Sequence, residues 1–194
     1  MNIIIVDEND NPVGVRARGE RGRGAPSGIY RVASLWLTNS RGEILLAQRA
    51  LTKNDPGKWV PPVNGTVEEG ETYESNILKE IVEELGVTDL HPKPAHKFFR
   101  VELDRRYFVQ FFEDVTDKAI ADFYPDPYEI MGLRWWTEEE LRTAVREHPE
   151  NFVTYIVDKY GAEPSVLATN AMASSDNDVP RAIVRSAARL SPNP

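Results

Sequence analysis

Twenty-three residues, Gly65 to Val87, constrain this chain more than any other stretch. They place an amphipathic helix between a glycine-containing loop and a glycine stop. Tyr73, Ile77, Leu78, Ile81, Val82 and Leu85 recur at near-helical spacing, which predicts a helix over residues 73–85. Thr72 suits its N-cap and Gly86 its C-terminal stop. The opposite face is acidic. Glu80 and Glu84 stand four residues apart and share one side, with Glu83 beside them. Carboxylates gathered this way repel one another by about 1 kcal/mol in total. A hard divalent cation offsets that repulsion, and Mg²⁺ favours oxygen ligands while keeping waters that substrate phosphates can replace. Charged helix faces are common, so the glutamates alone do not assign a role.

The rest of the chain reads as strands and turns around this unit. Ile3 to Val6 and Pro12 to Ala17 flank a turn-rich stretch and predict an N-terminal hairpin. Residues 18–28, with Arg18, Arg21 and Arg23 among glycines, read as a flexible basic loop. Ile29 to Thr38 and Glu43 to Arg49 predict two strands around Asn39–Gly42. Residues 59–67 read as extended, with Pro61 and Pro62 arguing against a central strand. Further strands are expected over 95–103, 106–112 and 128–136, with a turn at Asp104 and Arg105. Trp135 and Trp136 point to opposite faces, so one of them is expected in the core. Thr137 and Glu140 form a capping box for a helix to about Glu147, and a last helix is expected over 151–160. From Glu163 the composition shifts to Ala, Ser, Asn, Asp and Pro. This predicts a domain over 1–162, a linker over 163–178 and a tail with a short helix over 179–190.

Composition narrows the function classes. The chain has no cysteine, which removes disulfides, thiolate nucleophiles and cysteine-held zinc. A formal net charge of −8 is unsuited to general binding of nucleic-acid backbone. No apolar run approaches the roughly 20 residues of a membrane helix, and the first residues lack the basic leader of a signal peptide. A cytoplasmic protein acting on a small molecule, without nucleic acid or membrane, is the expectation.

The 23-residue segment resembles the Nudix box, whose pattern is Gly, five residues, Glu, seven residues, Arg-Glu, an aliphatic residue, any residue, Glu-Glu, any residue, Gly, aliphatic. Gly65, Glu71, Glu80, Ile81, Glu83, Glu84, Gly86 and Val87 match at the required spacing. Lys79 stands where the motif has Arg. The resemblance implies that Glu80, Glu83 and Glu84 hold Mg²⁺, with Mn²⁺ as an alternative. It implies that Gly65 lets the loop approach the metal and that Glu71 ties the loop to the helix. Asn64 stands where many members have a second glycine whose carbonyl binds metal. The catalytic base varies in the family. Glu83, Glu84 and Glu129, just before the 128–136 strand's apolar end, are the candidates. Lysine cannot reproduce the planar, two-pronged contact of arginine, so Lys79 predicts a looser or slower site.

What the resemblance implies for the fold is an α/β (α+β) domain: a mixed β-sheet sandwiched between helices, with an N-terminal hairpin. The likeness extends over residues 3–160. Val6, Asp7 and Glu8 with Pro12, Val13 and Gly14, then the run Gly42 to Arg49, are similar to the branch related to isopentenyl-diphosphate isomerase. Such isomerases need a catalytic cysteine and a histidine-rich metal site. Here cysteine is absent, and His91, His96 and His148 all lie after the Gly65–Val87 segment, not in the N-terminal stretch where that metal site would be assembled. Hydrolysis of a nucleoside or other organic diphosphate is therefore the leading expectation. An isomerase, or a non-catalytic domain binding a phosphorylated metabolite, are the alternatives. Arg16, Arg18, Arg31 and Arg49 are candidates for phosphate contacts, and Trp59 for covering the pocket. A homodimer through the hairpin or the tail is left open.

Overall fold

A computed structural model describes residues 1–19, 28–102 and 105–162. Most of the basic loop, Asp104 of the expected turn, and the linker, tail and short helix from residue 163 onward lie outside the described residues. The strands are β1 (Asn2–Val6), β2 (Pro12–Ala17), β3 (Ile29–Thr38), β4 (Ile44–Arg49), β5 (Trp59–Val60), β6 (Val63–Thr66), β7 (Lys93–Glu102), β8 (Arg105–Val115) and β9 (Ile130–Trp136). The α-helices are α1 (Tyr73–Glu80), α2 (Glu138–Glu147) and α3 (Thr154–Tyr160).

All nine strands join one mixed sheet. β3 is its organising strand, with an unbroken buried run from Ala33 to Leu37. Along one edge it pairs in parallel with β8 from Tyr30–Tyr107 to Thr38–Val115. Along the other it meets β1, β6 and β4 in turn, all antiparallel. β2 extends the sheet beyond β1, and β9 lies antiparallel to β4. A strand with β-branched and aromatic residues on both faces suits this central place, because both faces are covered.

Each face carries its own core. On one, Tyr73, Ile77, Ile81 and Leu85 of the box helix pack against Leu35, Leu37, Leu45, Val63 and Phe112. On the other, Leu141, Val145, Ile156 and Tyr160 of α2 and α3 pack against Trp36, Leu46, Phe111 and Trp136. The expected sandwich of helices around a mixed sheet is found. One expectation is corrected here. Trp136 is buried in the second core while half-buried Trp135 packs on the first, so both tryptophans contribute because both faces are covered.

Other corrections concern where elements end. Leu78 and Val82, counted on the apolar face, are exposed. The expected last helix is a 3₁₀ turn, Pro149–Asn151, then a break, then α3. Phe152 is extended so that its ring enters the second core, and the N–H of Val153 donates to the Trp59 carbonyl at 3.2 Å. The strand expected from residue 128 starts at Ile130, because Asp126 to Glu129 form a turn closed by Glu129 N–H to Asp126 O at 3.0 Å.

Candidate active site

The box helix starts as its sequence requires. Thr72 accepts from the N–H of Ser75, and the Ser75 hydroxyl accepts from the N–H of Thr72, a reciprocal cap. After Glu80 the helix widens into a π turn, Ile81–Leu85. Such turns are often found at functional sites. Gly86 ends it with a left-handed φ of 65°, and only a residue without Cβ fits there, because a Cβ would lie 2.5 Å from the Tyr124 carbonyl oxygen. Tyr124 and Asp126 in turn donate to the carbonyls of Leu85 and Glu84 at 2.9 and 3.1 Å, which draws the following loop, with Glu129 at its end, against the helix.

The three box glutamates are not equivalent. Glu80 is buried, Glu84 is half-buried, and Glu83 is exposed beside them. Burial raises the Glu80 carboxyl above the usual range, opposed by Lys79 and reinforced by Glu83. Burial also pushes Glu84 up to about 8, with Glu80 and Glu129 adding like charge. The N–H of Asn64, 3.4 Å from Glu84 Oε2, and the charge of Arg49 pull it back. Glu84, Glu80, Glu129 and Arg49 thus form one electrostatic neighbourhood. Lys53 pairs directly with Glu129.

The loop side is equally specific. Gly65 is buried, and a Cβ there would lie 2.4 Å from Glu80 Cγ and from Asn76 Oδ1, so the strand approaches the helix only because this residue has no side chain. Asn64 is fastened by its side chain, which accepts from Ser34 Oγ and donates to the Pro61 carbonyl, both at 2.8 Å. Glu71 accepts from the N–H of Glu68 at 2.9 Å and from Asn76 Nδ2 at 2.8 Å. Lys79 Nζ reaches Glu71, Glu68 and Glu80 at 2.7, 3.2 and 3.6 Å.

The donor set suits a hard divalent cation: a buried and a half-buried carboxylate that repel each other beside an approachable backbone, with an exposed third carboxylate within electrostatic reach. Among the described residues no three acidic or histidine side chains are already gathered into a closed metal-holding group. Lys79 and Lys53 instead neutralise part of the acidic charge.

Of the other sequence candidates, Arg18 lies within electrostatic reach of Glu80, and the rest are placed apart from this cluster. Arg31 is held by Asp10 Oδ1 at 2.7 Å and lies over the Tyr73 ring. Trp59 belongs to the second core, edge-on to Trp136 at 5.3 Å, on the face opposite the box helix. Arg16 lies on β2, half-buried, its Nε without a hydrogen-bond partner. Sequence reasoning missed Lys53 and Asn76. Lys53 is an ordinary loop lysine until the fold brings it to Glu129, and Asn76 occupies a position that the motif leaves undefined.

A family model described as the NUDIX domain matches residues 29–156. The chain belongs to the Nudix family. It is a Nudix hydrolase by its relatives as well. It is 32% identical over 157 residues to a prenyl-diphosphate phosphatase of Methanosarcina mazei, covering 76% of this chain and 85% of the relative. It is 37% identical over 120 residues to an uncharacterized Nudix hydrolase of Pseudomonas aeruginosa, covering 61% and 69%. An isopentenyl-diphosphate Δ-isomerase of Klebsiella pneumoniae is 26% identical, with coverage of 80% and 86%. Among solved structures, the Deinococcus radiodurans protein DR0079 superposes with a TM-score of 0.70 at 26% identity, covering 82% of this chain and 97% of that one.

Proposed function

We propose that this Nudix hydrolase cleaves the diphosphate linkage of a small organic diphosphate, with Mg²⁺ or alternatively Mn²⁺ held by Glu80, Glu84 and Glu83. One observation carries the reading: Glu80 and Glu84 are sequestered in surroundings that oppose their charge, with Glu129 within electrostatic reach of Glu84. The bound cation supplies charge neutralisation at the phosphates and a more acidic water. The chain supplies the rest. Glu80 and Glu84 orient, with the backbone at Asn64 and Gly65 closing the approach. Glu84 or Glu129 accepts the proton of the attacking water, and Lys79 supports the cluster. Arg49 is the sequence candidate for phosphate binding that lies within electrostatic reach of Glu84. Positioning and electrostatics are the main levers in such phosphoryl chemistry.

The organic part is best read as hydrocarbon. Leu51, between Arg49 and Lys53, and Tyr128, beside Glu129, are exposed at 73% and 76%. Their loops are joined by Ala50 N–H to Glu129 O at 2.9 Å. The phosphatase relative acts, by its name, on prenyl diphosphates. Hydrolysis is favoured over isomerisation by the missing cysteine. His91, His96 and His148 are exposed; His96 stacks on Phe98 and Phe111, and His148 contacts Glu150. The test is a panel of prenyl diphosphates, nucleoside diphosphates, nucleoside triphosphates and nucleotide sugars, scored for released phosphate and pyrophosphate and for isomerised product. Prenyl diphosphates are expected to give the highest kcat/KM without isomerisation. Turnover confined to nucleotides would contradict the hydrocarbon reading, and isomerised product the hydrolytic one.

A further inference from the structure

Asn76 is fully buried in the middle of α1. Asparagine is a poor residue for a helix interior, and here its Oδ1 is left without a hydrogen-bond partner, which adds a desolvation cost. Packing does not explain such a choice. Its Nδ2 group does: it donates to Glu71 Oε2 at 2.8 Å and to the Thr66 carbonyl at 3.3 Å, and stands 3.4 Å from Glu80 Oε1. Lys79 meets the same two carboxylates from the other side, Glu71 through Oε1 at 2.7 Å and Glu80 through Oε1 at 3.6 Å.

We propose that Asn76 and Lys79 form a split fork, two positioning residues that together hold Glu71 and Glu80 in the geometry a single arginine would otherwise set. The inference rests on reading Glu80 as a metal carboxylate. A guanidinium offers several directed N–H groups from one plane, whereas an ammonium is a rotating point charge. In this chain the charge comes from Lys79 and the directed donor from Asn76. The two oxygens of Glu71 are divided between them, and Glu80 is touched by both on one oxygen, which fixes the rotation of its carboxylate. Gly65 makes room for the device, since a Cβ there would overlap Asn76 Oδ1. Lys79 therefore does not leave the site loose, contrary to what the motif departure suggests when read alone.

The test is a double-mutant cycle on the full chain. Mn²⁺ binding is measured without substrate from the paramagnetic signal of the free ion, and kcat and KM are measured on the best diphosphate of the panel. Asn76→Ala is expected to weaken Mn²⁺ binding about tenfold, the low end for residues that orient metal ligands, and to lower kcat about tenfold with KM changed less than about threefold. Lys79→Arg alone is measured as the remaining corner of the cycle, so that the effect of removing Asn76 is compared in the lysine and arginine backgrounds. Adding Lys79→Arg to Asn76→Ala is expected to restore both to within about threefold of wild type, because arginine supplies both prongs. Asn76→Ser, which drops the amide donor but stays small and polar, replaces the alanine variant if that chain does not fold. Wild-type Mn²⁺ binding and turnover in the position-76 variant would overturn the proposal, as would equal losses with and without Lys79→Arg. A wild-type chain that takes up no Mn²⁺ would overturn the metal reading of Glu80 itself.

Discussion

The surroundings of Glu84 oppose its ionisation, and this has a consequence for stability. In the unfolded chain its carboxyl ionises near 4.5, and in the folded chain near 8. Between these values the folded protein keeps a proton that the unfolded chain has released, so raising the pH favours unfolding. The stabilisation from this group is fully present below about pH 4.5 and is lost as pH rises through about 8. Urea midpoints of metal-free protein are expected to fall between pH 5 and pH 8.5, with a shallower fall in Glu84→Gln. Millimolar Mg²⁺ should recover the wild-type midpoint at the alkaline end and act much less on the variant. A pH-independent difference between wild type and Glu84→Gln would contradict the assignment. The spacing of Glu80, Glu83 and Glu84 was enough to bring these carboxylates into one neighbourhood on the box helix. Their unequal burial was not legible, because it depends on β6 and the 123–129 loop, which pack on the helix from distant parts of the sequence.

At the scale of elements, the box helix was legible from its apolar spacing and cap, and its end from Gly86. The π turn was not, since a shift in hydrogen-bond register leaves no mark in composition. Gly86 joins both effects: it needs a left-handed φ and passes close to the Tyr124 backbone. Gly86→Ala therefore combines backbone strain of about 1–2 kcal/mol with overpacking of about 1–3 kcal/mol. A loss of about 2–5 kcal/mol in urea-derived stability is expected. Because the displaced loop carries Glu129, turnover should fall as well. A loss below about 1 kcal/mol would show that the loop yields freely. The strand pattern was read correctly in number near the N-terminus. Where the sequence reading erred, at Phe152 and at the paired tryptophans, the cause was a second core on the far face of the sheet, which takes in Phe152 and Trp136 while Trp135 packs on the first.

For the whole molecule, topology was the least legible layer. The parallel pairing of β3 with β8 joins Tyr30 to Tyr107, and no local signal encodes it. A similar long-range knot ties the hairpin down. Asp10, in the β1–β2 turn with φ 64°, pairs with Arg31 of β3 at 2.7 Å and Lys97 of β7 at 2.6 Å, and accepts from the Tyr73 hydroxyl at 3.2 Å. Its side chain is only 9% exposed. Removing one partner from a largely buried pair leaves the other uncompensated, so Asp10→Ala is expected to cost about 3 kcal/mol by chemical denaturation. A change within about 0.5 kcal/mol would reduce this cluster to surface decoration.

The central claim is that the buried glutamates of the box helix perform metal-assisted hydrolysis of an organic diphosphate. Its most direct test is the initial rate of phosphate plus pyrophosphate release from a prenyl diphosphate, titrated with Mg²⁺, for wild type and Glu84→Gln. The account predicts saturable Mg²⁺-dependent turnover in wild type and a loss of at least about a hundredfold in the variant. Turnover that is indifferent to Mg²⁺, or that survives in Glu84→Gln, would contradict it.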